Sequence, residues 1–402
     1  METSKPWSVS GAIRGFYDDN YAVRSSNSPE KRGSFGFEFH PGVAFHIPKD
    51  QTFFGGSYDY TMKYYEDRTS DPIDQSHTVL LNFDHRFSER YRTRAKEEFV
   101  YADEPELVDQ NVPLRQDSSG MRNVAKIEFF AVITERVGTG VGYQNNWFNY
   151  TDSNGNGPNP TISRSALLDR IEHLIHIDGR YQYTESIIAL LGYQFGIINY
   201  TGDDIIAPFA DYDGNPATPD TAPVSDDRDN FSHYLYVGAD ANLSEKLSGS
   251  ARIGVQFTDF TEANETALSP YVDIAASYTY LPGCALQAGV RHFRNATDVS
   301  GVDASGDVTT DQETTSAFVA IDHRITPRLR GTGSVQFQDG KFHDGAADGQ
   351  TDLYFIANLG LDFEITKNLF AEGKYNFDRL DSERPGRSFT RNRVSVGLRA
   401  KY

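Results

Sequence analysis

Apolar and polar residues alternate along this chain in segments of about 11–15 residues, and a short polar turn follows each pair of segments. In the stretch from Asp352 to Ile365, Leu353, Phe355, Ala357, Leu359, Leu361 and Phe363 fall on one face. Asp352, Tyr354, Asn358, Gly360, Asp362 and Glu364 fall on the other. Val79, Leu81 and Phe83 oppose Thr78, Asn82, Asp84 and Arg86 in the same way. A strand places successive side chains on opposite faces, so the pattern predicts strands.

The turns form a repeat. ITERV (Ile133–Val137), LSEKL (Leu243–Leu247), ITPRL (Ile325–Leu329) and ITKNL (Ile365–Leu369) are close copies. FSERY (Phe87–Tyr91), YTESI (Tyr183–Ile187), IPKDQT (Ile47–Thr52) and LPGCA (Leu281–Ala285) are looser ones. They recur roughly every 40–60 residues, the mark of a repeated hairpin. The other end of each hairpin carries a longer acidic connection, at 19–32, 66–76, 103–120, 151–164, 201–229, 298–312 and 341–350.

Strands are expected near 7–18, 33–46, 52–65, 77–87, 90–102, 121–134, 137–150, 165–183 and 186–200. The others are expected near 230–243, 247–261, 269–281, 284–297, 313–325, 328–340, 351–365, 369–380 and 389–402. That makes about eighteen, with sixteen as the alternative, and puts both termini on the short-turn side. Soluble strands average about five or six residues, whereas a tilted strand needs about nine to eleven to cross a bilayer. The expected fold is all-β: one antiparallel up-and-down transmembrane barrel over 1–402, with short turns at one end and long loops, 201–229 the longest, at the other.

Composition changes the picture less than it first suggests. The net charge of −19 and the 38% of hydrophobic residues look like those of a soluble acidic protein. Alternating strands reconcile them with a membrane, because half of each strand faces water. The 23 Tyr and 27 Phe suit interfacial girdles. No apolar run is long enough for a spanning helix; the longest, Ser186–Ile198, is broken by Gly and Gln. METSKPWSVS has no apolar signal core, a feature that a mature exported chain without its signal and a cytosolic chain would share. The acidic balance argues against nucleic acid, and the one cysteine, Cys284, allows no internal disulfide.

The inward face reads as polar and of mixed sign. Its basic candidates are Arg86, Arg92, Arg94, Lys96, Arg122, Lys126, Arg170, Arg180, Arg252, Arg291, Arg324, Arg328, Arg330, Arg391, Arg393 and Arg399. Its acidic candidates are Glu38, Asp59, Asp84, Glu128, Glu172, Asp178, Asp240, Asp322, Asp362 and Glu372. They either pair across strands and stiffen the wall, or face a hydrated lumen and select solutes. Unpaired, the ladders Arg92-Arg94-Lys96 and Arg391-Arg393-Arg399 would favour anions. Phe16, Tyr234, Tyr236, Phe293, Phe318 and Tyr354 also read inward, where a ladder of rings would favour sugars. Glu97, Asp169 and Arg294 break the apolar face and are expected near a rim or a bulge.

Chemical motifs are thin. His173 and His176 lie on opposite faces of a strand and cannot share a metal. Gly138-Thr139-Gly140-Val141-Gly142 lacks the Lys and the helix of a phosphate loop. Asp211–Asn215 resembles part of a calcium loop but has no terminal bidentate Glu. The expectation is no catalytic site, no metal and no cofactor.

The C-terminus carries a family likeness. Gly397, Ala400 and Tyr402 resemble the signal read by the barrel-assembly machinery, a Gly followed by hydrophobics three and five residues later. With the repeated turns, the chain resembles Gram-negative outer-membrane β-barrels and is similar to the β-barrel porin families, which include barrels of polysaccharide export systems. That resemblance implies a channel for hydrophilic solutes, saccharides or anions. It also implies two alternatives, an export translocon working with a periplasmic polysaccharide-export protein, and a non-conducting surface barrel acting through its loops as adhesin or receptor. The partners it implies are outer-membrane lipid, lipopolysaccharide and the assembly machinery.

Overall fold

The computed structural model describes residues 5–103, 108–109, 112–113, 120–151, 162–202, 204–207, 222–263 and 265–402. Eighteen antiparallel strands form one closed barrel. They are β1 Trp7–Asp18, β2 Ser34–Pro48, β3 Thr52–Tyr65, β4 Ile73–Arg86, β5 Tyr91–Ala102, β6 Gly120–Val132, β7 Val137–Tyr150, β8 Arg170–Thr184 and β9 Ile187–Tyr200. The second half runs β10 Asn230–Asn242, β11 Leu247–Phe260, β12 Glu265–Leu281, β13 Cys284–Asn295, β14 Asp311–Thr326, β15 Leu329–His343, β16 Thr351–Thr366, β17 Leu369–Ser382 and β18 Phe389–Lys401. Each pairs with its chain neighbours, and β18 pairs with β1 to close the cylinder. A two-residue ladder, Val108–Asp109 with Val112–Pro113, decorates the β5–β6 loop.

The turn repeat has a physical origin in the structure. In ITERV the Thr134 Oγ1 accepts from the backbone N–H of Arg136 and Val137, at 3.3 and 3.1 Å. Thr326 and Ser244 do the same for Arg328 and Leu329, and for Lys246 and Leu247. A Thr or Ser at this position satisfies two turn donors that the ladder leaves open.

The register sets the two faces. Ile13 sits opposite Leu398, Phe37 opposite Tyr64, Val79 opposite Phe99, Ile127 opposite Tyr143, and Leu235 opposite Val255. All face outward, where hydrocarbon demands apolar side chains. Imidazoles on this face meet tyrosine hydroxyls at 2.8–2.9 Å: Tyr58 with His77, Tyr143 with His173, and Tyr193 with His233. Each pair satisfies the tyrosine hydroxyl and one imidazole nitrogen internally, which a lipid environment favours. Tyr402 joins the outer wall on the short-turn side, its ring 5.9 Å from that of Trp7, with the Lys5 ammonium 3.5 Å above it.

Four expectations need correction. Residues 164–168 are a one-turn helix, α1, and not the start of a strand; Ser163 Oγ accepts from the Ala166 N–H and begins it. Arg328 lies in the two-residue β14–β15 turn and does not line the wall. Glu97 is outward as expected but stands mid-strand, opposite Leu81 and Ala125, and not at a rim. The connection read at 298–312 lies two residues earlier, at 296–310, and the one read at 341–350 is shorter, because β15 runs to His343. Asp169 and Arg294 do sit at strand ends on the long-loop side. Asp169 accepts from the Tyr150 N–H at 2.6 Å, and Arg294 is bidentate on Asp311 at 2.6 Å. Asp211–Asn215 lies outside the described residues.

The long loops fold inward. Ala166 of α1, Ile206 and Val308 come from three different loops and form one buried apolar cluster. Beside it Arg228, 0% exposed, donates to the carbonyls of Leu167 at 2.8 Å and Thr297 at 3.1 Å, and lies over the Tyr200 ring. Burial pulls the Arg228 pKa down, yet a guanidinium remains charged at neutral pH. Two carbonyl dipoles and a ring face replace its hydration. Arg387 of the β17–β18 connection clasps Asp298 and Asp352, each at 2.9 Å. The described parts of 201–229 therefore sit inside the mouth, locked to neighbouring loops.

Two outcomes follow. At the closing seam Glu372 of β17 holds both Arg14 of β1 and Arg399 of β18. Glu372→Ala takes the shared carboxylate from Arg14, which keeps Glu38, and from Arg399, which keeps only a longer contact with Asp362, and is expected to lower stability by about 2 kcal/mol. The urea midpoint in lipid vesicles reads this, and Glu372→Gln should lose less; an unchanged midpoint refutes the seam's importance. Arg228→Ala unties three loops at once and is expected to raise single-channel conductance in planar bilayers, with barrel stability kept. Equal conductance in the variant and the parent shows that the clasp does not narrow the mouth.

Candidate functional site

The lumen is the candidate site, and alternation builds it. Even-numbered positions of β1, β2 and β4–β11 face inward, so Arg92, Arg94, Lys96 and Glu98 stack along one strand. The structure places the other predicted wall residues inward as well, apart from Arg328. It also places Phe16, Tyr234, Tyr236, Phe293, Phe318 and Tyr354 there.

The basic ladders are paired, in a form that the sequence did not show. A single carboxylate repeatedly bridges two cations. Asp84 takes Arg92 at 2.8 Å and Arg94 at 3.3 Å. Glu98 takes Lys96 at 2.9 Å and Arg122 at 2.8 Å. Asp240 takes Arg180 at 2.6 Å and Arg252 at 3.2 Å, reaching across β9. Each such triad keeps one net positive charge while its geometry is fixed. On the other side of the seam, Arg391 is fully buried on Asp18 at 2.9 Å, and Arg393 holds Asp378 at 2.8 Å. Arg330 pairs with Asp322 at 2.7 Å, Arg170 with Glu172 at 2.7 Å, and Lys126 with Glu128 at 3.2 Å. Weaker contacts link Arg399 to Asp362 at 3.7 Å and His40 to Asp59 at 3.6 Å. Asp178 accepts instead from the Tyr236 hydroxyl at 2.8 Å.

The charge is unevenly spread around the wall. Inward positions of β4–β6 carry Arg86, Arg92, Arg94, Lys96, Arg122 and Lys126 against Asp74, Asp84, Glu98 and Glu128. Nine strands further round, and so diametrically opposite in an eighteen-strand cylinder, stand β13–β15; at mid-height β14–β17 present amides and hydroxyls, with charged Asp322, Arg330, Asp362 and Glu372 nearer the turns. The amides and hydroxyls include Thr332, Ser334, Gln336, Asn358 and Asn376. Asn376 donates to Asn358, which donates to Ser334 Oγ at 3.1 Å. The lumen thus has a cation-rich wall on β4–β6 and, across from it at mid-height, a belt of neutral hydrogen-bonding groups.

The two ends of the lumen also differ. Near the long loops, inward Phe148, Phe260, Phe342, Leu380 and Phe389 are wholly buried under the loop closure. Toward the turns, inward Arg94, Lys96 and Arg330 are about half exposed. A wide charged vestibule therefore leads up to a crowded mouth. Sequence reasoning missed Arg228 and Arg387, because nothing in a loop's composition says that it folds inward. Cys284 is buried, and its Sγ accepts from the Arg324 N–H at 3.3 Å, the role of a small wall residue.

Gly397 has a steric role at the seam. A Cβ there would strike the Ile13 carbonyl and Arg14 of the adjoining strand, so only glycine allows this approach of β18 to β1. Ala400 and Tyr402 project outward from the same strand.

Among solved structures, the chain is similar to OccAB4 of Acinetobacter baumannii, at 10% identity and a TM-score of 0.44, covering 100% of this chain and 99% of that one. It is similar to OpdQ of Pseudomonas aeruginosa, at 11% identity and 0.40, covering 99% and 97%. It is also similar to a mutant of the ferric enterobactin receptor PfeA of Pseudomonas aeruginosa, at 7% and 0.47, covering 98% and 80%. No curated protein matches the chain. The model of one family, described as Putative beta-barrel porin 2, matches residues 196–402, slightly more than half of the sequence. With a closed eighteen-strand barrel and a polar lumen already in view, the chain belongs to this β-barrel porin family, whose setting is a bacterial outer membrane.

Proposed function

We propose that this barrel is a passive channel, not an enzyme, and that it favours anionic and saccharide solutes over cations. The observation that carries the reading is the cation-rich wall of β4–β6, with a mid-height belt of amides and hydroxyls on β14–β17 across the lumen from it. A solute between them meets a positive field on one side and exchangeable hydrogen bonds on the other. That arrangement lowers the barrier for a hydrated anion or a polyhydroxylated ring. The bridged triads support it further, since cations held by a shared carboxylate keep their positions without giving up all of their charge. Arg94 and Lys96 stand half exposed in the wide part of the lumen, where a solute would meet them first.

The net charge of −19 does not oppose this. Much of it lies in the long loops at the mouth, and solvated charges act only within about 8 Å at physiological salt, so the wall of β4–β6 nearer the turns keeps its own field. The inward-folded loops would set the size limit. Passage of a polymer in either direction would require the Arg228 and Arg387 clasps to part.

Reversal potentials in a potassium chloride gradient provide the test. The expected result is chloride permeability above that of potassium. Arg94→Glu with Lys96→Glu should abolish or invert the preference while leaving the barrel folded. No current from the protein, even with Arg228→Ala, overturns the channel reading. A cation preference in the unaltered protein overturns the selectivity.

A further inference from the structure

Beneath the loop closure the lumen wall is indented. Inward residues of strands between β6 and β13 enclose a recess of about 330 Å³, at the small end of the ~300–1,000 Å³ typical of ligand pockets. Its chemistry differs from that of the cationic wall. Tyr234 of β10 and Tyr271 of β12 meet edge to face at 5.2 Å, and Phe293 of β13 lines the same space. Gln194 and Ser232 add short polar groups.

Arg291 stands at this recess and is the least committed cation in it. Its Nε lies 3.7 Å from Asp273 Oδ1, too long for a hydrogen bond, and its side chain is 56% exposed. By contrast, Arg170 and Arg294, which also line the recess, hold their carboxylates at 2.6–2.7 Å and are almost fully buried. Hydrogen-bonding capacity is also left over. The Asn295 side-chain carbonyl, at the recess, is buried without a partner. A buried polar atom left unsatisfied is unfavourable, so such a place suits a ligand or water that completes it.

We infer that this recess is a binding subsite for a saccharide unit that carries a carboxylate. The aromatic faces cover the apolar side of a sugar ring. The amides and hydroxyls match its hydroxyl groups, and Arg291 takes the carboxylate in a charge-assisted pair. The inference deepens the channel reading and rests on it for biological sense. Binding itself does not require conduction, so the two fail separately.

Titration calorimetry on the detergent-folded full chain tests it, with oligogalacturonate as probe and a neutral galactose oligomer as control. The expected result is saturable binding of the acidic oligomer, tighter than that of the neutral one. Arg291→Gln should weaken the acidic oligomer by about tenfold or more and leave the neutral one unchanged, which also shows that the variant is folded. Arg291→Lys should recover part of the loss, and Tyr271→Ala should weaken both oligomers. No saturable binding of either oligomer overturns the inference, as does an Arg291→Gln variant that binds the acidic oligomer equally well. If chloride or acetate competes as strongly as the oligomer at equal concentration, the recess is a simple anion site and the saccharide assignment falls. Binding without current in bilayers would sink the channel reading while the subsite stands.

Discussion

Every other feature of this protein depends on the pairing of β18 with β1. In hydrocarbon an unpaired N–H or C=O has no water to turn to, so a sheet in a membrane must have no edge. The chain meets that demand at the seam with backbone ladders, with Gly397 allowing the close approach, and with Glu372 holding Arg14 and Arg399 from the two joined strands. Closure fixes which side of each strand is inside. It thereby turns a period of two along the sequence into a lumen and a lipid-facing wall.

Inside that cylinder, charge obeys a second constraint. A lumen lined with formal charges is stable only if each has a partner or water. Sharing one carboxylate between two cations meets the requirement with residual positive charge, as at Asp84, Glu98 and Asp240. The outer wall answers the opposite demand with tyrosine–histidine pairs that consume each other's polarity. Glu97 stands apart, a carboxylate on the outward face in mid-strand, opposite Leu81 and Ala125.

The mouth couples fold to function. Loops rich in Gly, Asp and Pro have little apolar surface of their own, yet Ala166, Ile206 and Val308 find each other above the lumen. Arg228 can be buried there because carbonyls from two other loops surround it. The same contacts that order these loops narrow the passage, so the size of an admitted solute and the stability of the loop closure are linked.

The sequence by itself determined the strand count, the hairpin ends and the facing of almost every wall residue. Those properties follow from local periodicity and from turn chemistry such as the Thr134 and Thr326 hydroxyls capping their own turns. Where the reading slipped, it did so at boundaries. Residues 165–168 alternate poorly and join a helical turn ahead of the strand, and Arg328 continues a basic run into a turn. The folded barrel alone sets the bridging of the basic ladders, the placement of β4–β6 opposite β13–β15, the loose hold on Arg291 and the inward turn of the loops. These depend on distances between residues far apart in sequence, such as Arg180 to Asp240 across an intervening strand or Arg228 to Thr297 between loops. Alternation carries no information about such distances, because it records only which side a residue faces and not what stands opposite it.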